Sequence, residues 1–221
     1  MSHVGLITVG QSPRQDITGE IKEILSGEIT ITEKGALDDL TREEIETLAP
    51  TASESVLVTI MRDGREVKLA KKEVLPRMQQ CIKELEEEVD LVALLCTGDF
   101  PTLYSTRVLL QPAKLMYSTV LALGSNVHVG VVFPSADQSN MIEEKWEKIR
   151  NVTLIPYSPY HGSEKELEGI AFELKAKNVD LLVLDCMGYS ASVKTTLREI
   201  AGAPTILPKT LLARTLNELL G

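Results

Sequence analysis

Short apolar runs, many of them β-branched, alternate along the chain with longer segments whose apolar residues recur every three or four positions. The first run, residues 3–9, predicts a buried strand. The next segment places Ile17, Ile21 and Ile24 at helical spacing, and Pro208 opens a last amphipathic helix near the end of the chain. Regular alternation of strands and helices is typical of an α/β protein with parallel sheets covered by helices.

Residues 55–69 interrupt this alternation. Two strand-like runs flank Asp63-Gly64, a dipeptide that favours a tight hairpin turn. We interpret the segment as a β-hairpin inserted in the first half of the chain. After it, Pro76 is predicted to open a helix whose apolar face contains Cys81, which we interpret as a core residue.

The chain repeats two of its motifs. Val-Asp-Leu, an apolar run and Cys-x-Gly end a predicted strand at Cys96 and again at Cys186. His-Val-Gly opens a predicted strand at His3 and again at His128, and each copy is followed by Ser-x-x-Gln, which predicts a capping box at a helix N-terminus. The repeats predict two similar α/β lobes. Residues 1–116 with 205–221 form the N-terminal lobe, and residues 117–204 form the C-terminal lobe.

The composition excludes several functional classes. The net charge of −9 on 221 residues is opposite to the basic surface that binds nucleic acid. No apolar stretch is long enough to span a membrane and the first residues run directly into a strand, so we expect a cytoplasmic protein. The cysteines and histidines have no metal-ligand spacing, so no metal is expected.

Four predicted turns converge at the carboxyl ends of the strands, where ligands bind in parallel sheets. They are residues 10–14, 96–99, 134–138 and 186–190. Each leads to a helix N-terminus, which favours an anion and stabilises a thiolate. Phosphate, sulfate or a carboxylate is therefore expected at residues 12–14 or at the turns after the two cysteines. The candidate substrate-binding residues are Ser12, Arg14, Thr97, Gly98, Gly188, Tyr189 and Ser190.

Cys96 and Cys186 are the candidate catalytic residues because they occupy matching places in the repeat. Two thiols on opposite walls of a cleft suit one class of reaction: a thiolate removes a proton beside a carboxylate, and a thiol returns one to the other face. We expect the sulfurs to lie about 7–9 Å apart, with a small carbon centre between them. This chemistry needs no cofactor.

The residues at these turns resemble the aspartate/glutamate/hydantoin racemase superfamily, whose members have two α/β lobes, one cysteine from each and no cofactor. Cys96-Thr97-Gly98-Asp99 resembles the first cysteine motif of the hydantoin racemase-like members, and Cys186-Met187-Gly188 resembles the second. Neither cysteine is followed by the residues usual in amino-acid racemases. Residues 4–16, Val-Gly-Leu-Ile-Thr-Val-Gly-Gln-Ser-Pro-Arg-x-Asp, are similar to the AroM family, whose biochemical function is not established.

These observations favour a cofactor-independent isomerase acting on a small carboxylate or a hydantoin-like compound. Two alternatives stay open. One is a lyase or decarboxylase that uses one thiol as a proton donor. The other is a non-catalytic protein that binds or senses a small anionic metabolite, with the hairpin as a partner surface. The oligomeric state is also open, with a homodimer as one alternative.

Overall fold

The chain folds into two compact units, seen in a computed structural model that describes residues 2–52, 54–124 and 126–221. Unit 1 comprises Met1–Leu115 and Lys209–Gly221, and unit 2 comprises Met116–Pro208. Each unit is built on a four-stranded parallel sheet. None of the helices in the described ranges is long and apolar enough to cross a membrane.

Unit 1 arranges its sheet in the order β2-β1-β5-β6. The strands are β1 Ser2–Thr8, β2 Ile29–Gly35, β5 Leu91–Leu94 and β6 Val108–Leu110. The helices are α1 Gln15–Ile24, α2 Arg42–Thr47, α3 Lys71–Leu85 and α8 Pro208–Leu220, and α4 Pro112–Ala122 begins here. The central strands β1 and β5 are almost entirely buried because helices cover both faces of a parallel sheet.

The predicted hairpin is confirmed. Strand β3 (Val56–Ile60) pairs antiparallel with β4 (Glu66–Ala70), and Leu57 lies opposite Leu69. Gly64 has φ +84° in the connecting turn, a conformation that side chains other than glycine rarely adopt. The hairpin contributes Leu57, Met61 and Leu69 to the hydrophobic core of unit 1, so it is an integral part of that unit.

Unit 2 repeats the same order as β10-β9-β7-β8, in which the third strand again pairs with the first. Its strands are β7 Val129–Phe133, β8 Val152–Pro156, β9 Leu181–Leu184 and β10 Thr205–Ile206. Its helices are α5 Ser139–Trp146, α6 Glu164–Ala176 and α7 Ala191–Ala201, with a 3₁₀ turn at Ala136–Gln138. The α/β fold predicted from the sequence is therefore confirmed.

The repeated His-Val-Gly and Val-Asp-Leu motifs stabilise the amino end of each sheet. The amide of His3 donates to Asp90 Oδ2 at 2.8 Å, and the amide of Asp90 donates to the His3 carbonyl at 2.8 Å. His128 and Asp180 make the same two hydrogen bonds, each also 2.8 Å long. These contacts join the first strand of each unit to the loop before its third strand.

The glycine of each His-Val-Gly copy lets a helix pack close to the sheet. A Cβ added at Gly5 would lie 3.1 Å from Cδ1 of Leu85 in α3. A Cβ added at Gly130 would lie 2.7 Å from Cδ2 of Leu174 in α6. The close packing of a helix against each sheet therefore explains why both His-Val-Gly copies contain a glycine.

Helix α3 and strand β6 differ from the sequence prediction. Helix α3 begins at Lys71, five residues before Pro76, because it continues directly from strand β4 and contains the proline in its interior. Strand β6 was not predicted. It is three residues long, lies at the edge of the sheet and leaves Val108 exposed, so it has no clear alternation of buried and exposed positions.

Candidate active site

The two Cys-x-Gly turns have the same local structure. The amide of Leu95 donates to the Ile7 carbonyl at 2.7 Å, and Cys96 follows. The amide of Asp185 donates to the Val132 carbonyl at 2.7 Å, and Cys186 follows. Each cysteine therefore stands one residue past the last hydrogen bond between the third and the first strand of its sheet.

Both sulfurs accept a hydrogen bond from the glycine two residues later. The Gly98 amide donates to Cys96 Sγ at 3.3 Å, and the Gly188 amide donates to Cys186 Sγ at 3.4 Å. A donor aimed at the sulfur favours its charged form over its neutral form. Both turns therefore give the sulfur the same backbone donor, and all three cysteines of the chain are thiols rather than halves of disulfides.

In unit 1, apolar side chains pack closely around the Cys96 turn. A Cβ added at Gly98 would lie 2.9 Å from Cζ of Phe100 and 3.4 Å from Cδ2 of Leu57 in the hairpin. Thr97 is buried, whereas Cys96 is partly exposed. The glycine is required here because any side chain would collide with the Phe100 ring.

Protein atoms bind several amides of the turn that follows β1. The amide of Gly10 donates to Thr8 Oγ1 at 3.2 Å, and the amide of Arg14 donates to Glu33 Oε2 at 2.8 Å. The amide and hydroxyl of Ser12 donate to the two carboxylate oxygens of Asp38 at 2.7 and 2.6 Å. These three amides therefore already have acceptors at the place where an anion was expected.

The capping box predicted at Ser12 and Gln15 is wrong. Helix α1 begins at Gln15 with Arg14 at its N-cap and no side-chain capping bond. The Ser12 hydroxyl donates to Asp38 instead, and the Ser12–Pro13 peptide bond is cis. Ser135 does cap its helical turn, since its hydroxyl accepts from the amide of Asp137 at 3.4 Å.

Arg14 is buried and makes strong contacts within unit 1. Its Nε and Nη2 donate to the two oxygens of Asp16 at 2.8 and 2.6 Å, a bidentate pair. Its Nη1 donates to Thr59 Oγ1 in the hairpin at 3.0 Å. The guanidinium therefore holds the hairpin against the turn after β1, and Asp16 already offsets its charge.

In unit 2, a tyrosine that the sequence analysis did not select lies over the Cys186 turn. A Cβ added at Gly188 would lie 2.7 Å from the hydroxyl oxygen of Tyr160 and 2.9 Å from its Cζ. Tyr160 comes from the loop after β8, which no motif marks as part of a site. The absence of a side chain at Gly188 lets this ring approach the turn.

The candidate residues Tyr189 and Ser190 have structural contacts. Tyr189 is fully buried, stacks on Tyr157 at 6.3 Å and donates its hydroxyl to the Tyr157 carbonyl at 2.6 Å. Burial, together with Cys186 and Asp185, raises the pKa of the Tyr189 hydroxyl well above its ordinary value. Ser190 is the N-cap of α7, where its hydroxyl accepts from the amide of Val193 at 3.3 Å.

A buried ion pair lies immediately before Cys186. Both carboxylate oxygens of Asp185 accept from Lys145 Nζ, at 2.7 and 2.8 Å, and Oδ2 also accepts from Trp146 Nε1 at 2.8 Å. Lys145 and Trp146 lie on α5, forty residues earlier, so no local pattern could reveal this contact. The equivalent position before Cys96 is the apolar Leu95.

Cys81 lies in the hydrophobic core of unit 1, as predicted. Burial, with a smaller effect from Glu84, raises the pKa of the Cys81 thiol to about 11. A protonated thiol is a poor nucleophile. Across the described ranges, histidines, cysteines and carboxylates do not form a group of three or more that could hold a metal ion.

Several solved structures share the fold. Glutamate racemase from Aquifex pyrophilus is 14% identical with a TM-score of 0.58, and the match covers 99% of this chain and 84% of that one. Maleate isomerase Iso from Pseudomonas putida S16 is 17% identical with a TM-score of 0.63, covering 99% and 92%. Unliganded arylmalonate decarboxylase is 12% identical with a TM-score of 0.62, covering 98% and 93%.

These identities are low, so the structures establish the fold rather than an activity. No significant sequence match is found among curated proteins. The family model described as "AroM protein" matches residues 4–220, which is nearly the whole chain. The resemblance of residues 4–16 to the AroM family is thereby confirmed, and the chain belongs to that family.

Proposed function

We propose that the protein is a cofactor-independent isomerase in which Cys96 and Cys186 transfer a proton at the α-carbon of a small carboxylate or hydantoin-like substrate. The observation that carries this proposal is the shared construction of the two turns. A thiol stands in the turn after each third strand, and each sulfur accepts a hydrogen bond from a glycine amide. Structural filler needs no such donor, whereas a group that alternates between thiol and thiolate benefits from one.

In the proposed reaction, one cysteine is a thiolate and the other a thiol. The thiolate removes the α-proton, and the electron pair of the broken C–H bond moves onto the neighbouring carbonyl or carboxylate. The second thiol then donates its proton to the opposite face of the carbon, which inverts the centre. The protonation states of the two cysteines are exchanged at the end, so the reverse reaction uses the same groups in opposite roles.

The remaining candidate residues have proposed roles that follow from their contacts. Gly98 and Gly188 support the two sulfurs and leave room at the turns. Thr97 and Ser190 supply hydroxyls beside the turns. Tyr189 holds the loop after β8 and is a positioning residue. Ser12 and Arg14 fix the turn after β1 through Asp38 and Asp16 and are positioning residues.

A carboxylate substrate is also consistent with the three related structures, which are named for glutamate, maleate and arylmalonate. The decarboxylase among them favours one second candidate, a lyase reaction. In that reaction the C–C bond to a departing CO₂ breaks, and a single thiol donates the proton to the resulting carbanion.

Exchange of the α-hydrogen with solvent deuterium tests the proposal across a panel of small carboxylic acids, malonates and hydantoins. The parent protein should exchange at least one substrate and racemise it. Cys96→Ser and Cys186→Ser should each abolish racemisation, because an alcohol is far less acidic than a thiol of pKa about 8.5. Each variant retains exchange from the one enantiomer that its remaining thiol reaches.

Cys81→Ser is the matched control. It removes a buried thiol of the core cluster and should leave exchange unchanged while altering stability. Full racemisation by either Cys96→Ser or Cys186→Ser would refute the proposal that the two cysteines act as a catalytic pair. Tight binding of a panel compound without exchange or decarboxylation would identify a binding protein instead.

A further inference from the structure

The hairpin lies across the carboxyl ends of three of the four strands of unit 1. Leu57 reaches the turn after β5, since its Cδ2 would be 3.4 Å from a Cβ on Gly98. Thr59 reaches the turn after β1, since its Oγ1 would be 2.5 Å from a Cβ on Gly10. Arg62 reaches Asp38, which follows β2, with a bond of 2.7 Å. The inserted hairpin therefore covers the edge at which a ligand of this sheet would bind.

Arg62 fastens the hairpin in this position. Its Nε donates to the Ser12 carbonyl at 2.6 Å, and its backbone amide donates to Gln11 Oε1 at 3.2 Å. Asp38 accepts hydrogen bonds from Nη2 of Arg62 and from the amide and hydroxyl of Ser12. The hairpin turn and the turn after β1 are thus joined through one carboxylate.

Leu57 is almost fully buried and fills the space beside Gly98. The Phe100 ring also lies beside Gly98, so the surroundings of the Cys96 turn are apolar and tightly packed. A large ligand group could reach Cys96 from this side only by displacing Leu57, and displacement of a packed core side chain is energetically costly.

We propose that the hairpin is the selectivity element of the Cys96 site, in which Leu57 limits the size of the ligand group beside Cys96 and Arg62 holds Leu57 in place. The inference rests on the proposed function only in taking Cys96 as a site residue. It specifies a substrate whose substituent at the reacting carbon is small, in contrast to an aryl-substituted one.

The test compares alkylation of Cys96 by a small reagent, iodoacetamide, and a bulky one, N-phenylmaleimide, measured peptide by peptide with mass spectrometry. Leu57→Ala should raise the ratio of bulky to small reagent rate at Cys96 by about tenfold, because the steric cost of passing Leu57 is removed. Leu69→Ala is the control. It removes the same atoms from the paired position on β4 and should leave the ratio near that of the parent. Equal ratios in the two variants would overturn the proposal.

A second pair of variants decides the question if Leu57→Ala fails to fold. Arg62→Gln removes the side-chain bonds to Ser12 and Asp38 that hold the hairpin, at a half-exposed position. It should accelerate alkylation of Cys96 by both reagents several-fold. Arg65→Gln is the matched control, because the Arg65 side chain bonds Asp63 within the exposed hairpin turn. Cys186, in unit 2, serves as the internal reference. Equal rates in the two arginine variants would overturn the proposal, whereas an absence of isotope exchange in the parent protein would count only against the isomerase.

Discussion

The buried ion pair beside Cys186 allows a quantitative prediction. The Asp185 side chain is 0% exposed and that of Lys145 is 11% exposed, and Nζ contacts both carboxylate oxygens. Removing one partner of a buried pair leaves the other charge buried and unpaired, which lowers the free energy of unfolding by about 3–5 kcal/mol. The cost of Lys145→Met should lie at the upper end of this range. The fully buried carboxylate then keeps only the neutral donor Trp146 Nε1 of these two contacts and loses the ammonium group that pairs its charge.

Asp185→Asn should cost less, near the lower end of about 3–5 kcal/mol, for two reasons. The flexible Lys145 side chain is already partly exposed and can turn its ammonium group to water. The amide oxygen of asparagine can also still accept from Trp146. The double variant removes both charges and should recover most of the loss, so the measured coupling energy should be large and favourable to the pair.

Urea unfolding of the parent, the two single variants and the double variant measures these energies, with Lys148→Met as an α5-flanking control. A total stability of roughly 5–15 kcal/mol means that either single change removes a large share of it. A cost below about 1 kcal/mol for Lys145→Met, typical of an exposed pair, would refute the reasoning. A double variant that costs the sum of the two singles would refute it as well.

Three further predictions each concern one residue. Gly188→Ala should lower the melting temperature and change the alkylation rate of Cys186, because the new Cβ would lie 2.7 Å from the Tyr160 hydroxyl. Asp38→Asn should cost about 1–3 kcal/mol in urea unfolding, because the amide cannot accept every bond that the carboxylate receives. Burial raises the pKa of Cys81 from 9.0 to about 11, so the folded protein keeps a proton that the unfolded chain loses. Stability should therefore hold below pH 9 and fall between pH 9 and about 11, and Cys81→Ala should remove this part of the pH slope.

The sequence was informative wherever one local pattern determines one element. Apolar periodicity predicted the central strands and the covering helices, and Asp63-Gly64 predicted the hairpin. The matching cysteines predicted two turns of the same construction. Strand β6 was not predicted, because three exposed or partly exposed residues at a sheet edge have the same lack of hydrophobic periodicity as a loop.

The contacts that build the candidate site were beyond sequence reasoning, because they join residues far apart in the chain. Asp38 accepts from Ser12 across 26 positions, and Thr59 accepts from Arg14 across 45. Short-range rules made Ser12 a helix cap, whereas the fold brings a carboxylate to its hydroxyl. A buried arginine also looks the same in sequence as a ligand-binding arginine, and only the bidentate bond to Asp16 distinguishes the two.

The two thiols lie in turns of the same construction but in different surroundings. Cys96 is partly exposed, follows the apolar Leu95 and lies beside a hairpin that unit 2 lacks. Cys186 is buried and follows a carboxylate that is paired with Lys145. The proposed proton transfer between two faces of one carbon starts with one cysteine protonated and the other ionised, and unequal surroundings favour one of the two starting states over the other. Under the proposed function, the common amide–sulfur bond would stabilise negative charge on either group, and the unequal surroundings would determine which of them carries it first.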